Sequence, residues 1–189
     1  MNKIFVMIAL AGLALAESCP DPQLQEDFQA APYMGQWYEQ MRTKAMPFQK
    51  YDCDTARYNL QADGSVAVLN SEFNPNTGGI EQARGTAWFK GPRGKVKFSW
   101  FMPGGDYRVV ATDYTNYAVV YSCSNILFWK GEYAWILTRE KNPREDLVFY
   151  AFQTLQKRVP TFKLDDFHRT IQGGSCRYLN DVSLPKDEI

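Results

Sequence analysis

The side chains able to do chemistry are few. His168 is the one histidine in 189 residues, so no histidine cluster can hold a metal, and one imidazole at most can act as a general base. It lies between Phe167 and Arg169 with no nucleophile motif in company, which points to a packing or surface role. There is no Gly-x-Ser-x-Gly elbow, phosphate loop or Gly-x-Gly-x-x-Gly turn. The four cysteines, Cys19, Cys53, Cys123 and Cys176, are separated by 34, 70 and 53 positions. Those gaps fit neither a zinc knuckle nor a thioredoxin motif, and an even count reads as two disulfides with three connectivities open. Met102 offers a thioether that can reduce an oxidised lipid and become the sulfoxide, although gap-filling is the ordinary role of methionine. No catalytic residue, metal or cofactor is expected.

Lys and Arg number 21 and Asp and Glu number 21. A balanced chain lacks the basic excess that neutralises phosphates, so no nucleic-acid partner is expected. Hydrophobic residues at 45% and aromatics at 15% are enough for a packed core. The start, Met1-Asn2-Lys3 followed by an apolar run from Ile4 to Leu15 and a small-residue Ala14-Leu15-Ala16 site, predicts a secretory signal peptide over 1–16. Residues 17–189 are then a single secreted, extracellular domain, consistent with disulfides. The tail Lys186–Ile189 departs from an ER-retention signal at its last position and reads as a frayed terminus.

The frame for these residues is all-β. Strand-like runs are expected at Gln36–Thr43, Asp54–Gln61, Ser65–Phe73, Glu81–Lys90, Lys95–Phe101, Asp106–Asp113, Tyr117–Cys123 and Glu132–Arg139. Tight turn signals separate them, Asp63-Gly64 the clearest. Short connections alternate with longer ones at 44–53, 74–80, 102–105 and 124–131. This predicts an eight-stranded antiparallel up-and-down β-barrel with a tight floor and an open mouth. One C-terminal α-helix follows. Asn142 is expected as its N-cap and Pro143 as its first residue, with Leu147, Val148, Ala151, Phe152 and Leu155 on the apolar face.

Three features carry a resemblance: Gly35-Gln36-Trp37 opening the first strand, Thr112-Asp113-Tyr114 at the shortest turn, and Arg139 ending the eighth. In this order the chain resembles the lipocalin family. The segments Lys97–Pro103, Ala111–Tyr114 and Tyr121–Cys123 look most like its branch of apolipoprotein D, crustacyanins and bilin-binding proteins. The resemblance implies that Arg139 lies across Trp37 as a cation–π seal. It also implies Cys19–Cys123 and Cys53–Cys176 pairing, and carriage of a small hydrophobic ligand such as a fatty acid or sterol. The alternatives it implies are a carotenoid or bilin pigment, or lipid-antioxidant activity through Met102. The family's isomerase route needs a free thiol, which four paired cysteines would not supply.

Strand alternation from Arg139 puts Leu137, Trp135 and Tyr133 inside the barrel. Family phasing adds Tyr58, Val68, Asn70, Phe98, Trp100, Tyr107, Val109, Ala118 and Val120. This is an aromatic and aliphatic interior in which Asn70 and the tyrosine hydroxyls are the polar groups able to orient a guest. At the mouth, Met102 and the apolar run Ile126, Leu127, Phe128 and Trp129 predict a rim that touches a lipoprotein or membrane surface. A monomer or small homo-oligomer is expected.

Overall fold

The computed structural model describes residues 18–126 and 129–179. The segment 1–16 and the tail 186–189 therefore lie outside the described residues, as do Leu127, Phe128 and the side chains of Ile126 and Trp129. A short helix, α1 (Ala30–Tyr33), leads into β1 (Gly35–Thr43), β2 (Asp52–Leu60), β3 (Val66–Asn74), β4 (Gly79–Lys90), β5 (Arg93–Lys97), β6 (Gly105–Thr112), β7 (Tyr117–Ile126) and β8 (Trp129–Thr138). Each strand pairs antiparallel with the next, and β1 pairs with both β8 and β2, which closes the barrel. The helix α2 (Glu145–Arg158) and a short β9 (Phe167–Arg169) complete the fold.

The barrel has two apolar layers. Inside, Trp37, Tyr58, Val66, Val68, Val109, Ala118, Val120 and Leu137 pack with Tyr33. Outside, β6, β7 and β8 present Val110, Val119, Tyr121, Ala134 and Ile136 to α2. The helix answers with Val148, Ala151, Phe152 and Leu155, all buried at helical spacing. Glu145 and Asp146 sit at its N-terminal end and Lys157 and Arg158 at its C-terminal end, the arrangement the helix dipole favours.

The structure departs from the sequence expectations in four places. The helix starts at Glu145 with Arg144 as its cap residue, not at Pro143 under Asn142; Asp146 accepts from the Leu147 N–H instead. β5 stops at Lys97, so Phe98–Phe101 are not strand. The expected long connection 124–131 is mostly strand: β7 and β8 stay paired up to Ile126 and Trp129. β9, too short to carry a periodic signal, pairs with the upper part of β1. There it takes the place of β2, which pairs with β1 only from Gly35 to Tyr38.

Disulfides join Cys19 to Cys123 and Cys53 to Cys176. The first ties the N-terminal segment to β7. The second ties the chain after β9 to β2, at the seam where β1 and β2 part.

Candidate functional site

The closed end is built by backbone carbonyls converging on one guanidinium. Arg139 lies 3.6 Å from the Trp37 ring centre. It donates to the carbonyls of Tyr114 (2.9 Å), Gln36 (2.9 Å) and Pro32 (3.0 Å). The Trp37 indole N–H donates to the Tyr33 carbonyl at 3.0 Å. Gly35 has φ +93°, and a Cβ there would stand 3.3 Å from Arg139 Nη1, so glycine is needed for both conformation and space. Thr112 Oγ1 donates to the Tyr117 carbonyl and accepts from the Tyr114 N–H. Burial pushes the Asp113 carboxyl up, but the Asn116 amide and the N–H groups of residues 115–117 outweigh it and hold the group below its usual range. This end is a sealed floor.

Above it stands an aromatic layer. The Tyr33 and Tyr107 hydroxyls are 2.8 Å apart, and Tyr58 and Tyr107 are 3.1 Å apart. Burial pushes the Tyr58 phenol up to about 12 and holds Tyr33 and Tyr107 well above the usual phenol range, so all three are neutral. Two bonds among three hydroxyls leave one proton to offer. Phe89 packs edge-on to Tyr107 and Tyr33. Of the expected lining, Tyr58, Val68, Val109, Ala118, Val120 and Leu137 are buried in this layer. They fill the lower barrel as core.

The upper barrel is different. Register places Ala56 opposite Asn70, Asn70 opposite Ala83 and Val68 opposite Gly85, so small residues line the inward wall. Ala83 and Gly85 face inward, yet Ala83 is solvent-exposed and Gly85 only half-buried. β4 has no β5 partner above Thr86, because β5 ends at Lys97. The wall is therefore notched beside residues 79–85. The Phe98 ring partly fills the notch: a Cβ on Gly85 would lie 2.9 Å from it. Asn70 Oδ1 is buried with no partner. Tyr133 stacks edge-on with Phe48 of the 44–51 loop, and Trp135 lies next to Tyr133. Trp100 does not line the barrel; it stands in solvent beyond β5 at 90% exposure.

One group of residues was not anticipated. β1 and β8 shift register between Glu39 and Met41. Strict alternation from Trp37 would turn Met41 inward and Arg42 outward. The bulge reverses this. Met41 packs in the outer cluster, while Arg42 pairs with Trp135, an inner residue. Arg42 Nη1 is 2.6 Å from Glu39 and 3.1 Å from Asp54; Nη2 donates to the Tyr51 carbonyl. Gln49 donates to both carboxylates and accepts from the Trp135 indole N–H at 2.7 Å. Thr170 hydrogen-bonds Glu39 at 2.5 Å. The interior is thus more polar than its alternation pattern suggests. Burial, with Glu39 beside it, pushes the Asp54 carboxyl up to about 9 despite Arg42 and Gln49. Arg42 serves Glu39 as counter-ion at the shorter distance, and Asp54 keeps its proton at neutral pH.

His168 lies 2.7 Å from the Asp52 carboxylate, part-buried at the β9 edge. Among the described residues no group of three or more metal-ligating side chains forms. No helix among them is long and apolar enough to cross a membrane.

The lipocalin-like domain family matches residues 28–170, spanning the floor, the barrel and α2. The chain belongs to the lipocalin family. It is 39% identical over 160 residues to apolipoprotein D of Macaca fascicularis, covering 77% of this chain and 84% of that protein. It is 38% identical over 160 residues to apolipoprotein D of Bos taurus, with coverages of 78% and 84%. Among solved structures, insecticyanin of Manduca sexta aligns with a TM-score of 0.74 at 21% identity over 87% of this chain and 92% of that one. Lobster apocrustacyanin A1 aligns at 0.66, also 21% identical, over 78% and 82%. These two likenesses carry the lipocalin fold alone.

Proposed function

We propose that this chain is a secreted lipocalin that carries one small hydrophobic molecule in the upper barrel, without catalysis. Residues 1–16 are removed as a signal peptide, and 17–189 act as one domain. The carrying observation is the contrast inside the barrel: the lower half is closed by aromatic rings, while Ala56, Ala83 and Gly85 leave the wall above open. A fatty acid, sterol or similar lipid fits this hollow, with Trp135, Tyr133 and Phe98 on its apolar flank. Asn70 and the unused tyrosine proton orient its polar end. Burial at about 25 cal/mol per Å² of apolar surface supplies the affinity. A depression of about 460 Å³ on the outer wall, lined by Gln61, Ala62, Asp63, Ser65, Ala67 and Thr86, is open to solvent and does not enclose such a guest.

Ala83→Trp tests the reading, because an indole there would occupy the hollow without touching the floor. Titrating the purified protein with a fluorescent fatty acid and with a sterol should give saturable binding that Ala83→Trp weakens about tenfold or more. Binding to neither ligand, or equal binding by the variant, removes the assignment. Visible absorbance in natively purified protein would turn it to a pigment carrier. Met102 lies on the exposed 98–104 loop, outside the hollow, so the geometry favours carriage over reduction of a bound guest.

A further inference from the structure

The outer wall of β4 and β5 differs from the rest of this charge-balanced chain. Between residues 82 and 105 there are five cations, Arg84, Lys90, Arg93, Lys95 and Lys97, and no carboxylate. Register sets Thr86 beside Lys97, Trp88 beside Lys95 and Lys90 beside Arg93, so the cations share the outward face with Trp88. The acids that approach this face are Asp21 and Asp106. Asp21 pairs with Arg93 and Asp106 with Arg108. Arg84, Lys90, Lys95 and Lys97 make no ion pair among the described residues.

The loop following β5 carries the largest exposed aromatic group of the described chain. Trp100 is 90%, Phe101 70% and Met102 55% exposed, and the Trp100 and Phe101 rings pack edge-on at 5.7 Å. The loop returns across the lysines: a Cβ on Gly104 would lie 3.3 Å from Lys97 Cγ and 3.5 Å from Lys95 Cγ. Bare aromatics and unpaired cations are therefore contiguous, beside the notch in the barrel wall.

We propose that the Trp100–Met102 loop and the outer face of β5 form a docking surface for an anionic lipid bilayer. Trp100 and Phe101 enter the headgroup boundary, where amphipathic rings are favoured. Lys95, Lys97 and Arg84 meet the anionic headgroups within a Debye length of the surface. Neither half suffices alone: the rings are too few for strong partitioning, and the lysines are screened by salt unless held close. Docking turns the notch beside residues 79–85 toward the lipid. The surface lies outside the hollow, so this inference stands on observations separate from the carrier reading.

Flotation of the full chain with phosphatidylcholine vesicles, pure or containing about 30% phosphatidylserine, tests it. Binding to the anionic vesicles should be about tenfold or more tighter and should vanish in about 0.5 M salt. Lys95→Glu/Lys97→Glu should abolish the preference. Trp100→Ser/Phe101→Ser should weaken binding to the anionic vesicles and abolish the blue shift of tryptophan emission that accompanies it. Fatty-acid titration of each variant separates the two claims. Unchanged titration with lost docking supports the surface. Equal binding to both vesicle types, binding to neither, or anionic binding indifferent to the lysine changes overturns it, whatever the hollow holds.

Discussion

The two ends of the barrel solve the same closure problem differently. At the floor, Arg139 satisfies carbonyls from three segments and caps one indole. No second charge is buried with it, and its work is done by local turns and one glycine. At the β1–β2 seam, the strands part and the Arg42–Glu39 pair goes inside with the protonated Asp54 and Gln49, while β9 and the Cys53–Cys176 disulfide cover the gap. A cation at the protein edge seals cheaply, because solvent still reaches part of it. A cation in the interior must carry its own anions, and each pair it forms is hostage to the others.

Removing one member at each end sharpens the contrast. Arg42→Met leaves Glu39 buried without a counter-ion and should cost about 3–5 kcal/mol in denaturant unfolding. A loss below about 1 kcal/mol would mean the seam is hydrated and the cluster is not a buried ion group. Arg139→Met removes the cation–π contact and unpairs the floor carbonyls, for about 2–3 kcal/mol. If it costs more than Arg42→Met, the ranking of the two ends is reversed.

The seam should also respond to pH where the floor does not. Asp54 has a folded pKa of about 9 against a usual 3.8, so the folded chain holds its proton more tightly than the unfolded chain. Its contribution is full below about pH 4 and is lost as the pH rises through about 9. Thermal stability should therefore fall between pH 5 and 9. Asp54→Asn should flatten that slope and gain at least about 1 kcal/mol at the alkaline end, roughly 2–4 °C. Wild type and Asp54→Asn scanned in parallel decide the matter; parallel slopes would place the proton elsewhere.

Legibility followed the same division. The eight strands, their hairpins and the helix face are written in short stretches: alternation, Asp63-Gly64, the 148–155 spacing; the Trp37–Arg139 contact is legible only through the family resemblance. The upper site is not written this way. Glu39 shares the inward face of Trp37, but Arg42 enters the barrel because Gln40 is an extra residue opposite β8, a register shift that no pattern inside β1 announces. Trp100 leaves the barrel because β5 stops at Lys97. The apolar run at 126–129 reads as a loop because hydrophobicity does not say how far two strands stay paired. β9 exists only because the edge of β1 is free to receive it.

By itself the sequence determined the class of fold, the sealed end and the scarcity of catalytic groups, since each depends on residue type and near spacing. The tertiary structure alone decided which strand lets go of its neighbour, which charges are taken inside and which aromatics stay in solvent. Those outcomes depend on hydrogen-bond register between segments far apart in the chain, and register is a property of pairs of strands that no single strand encodes.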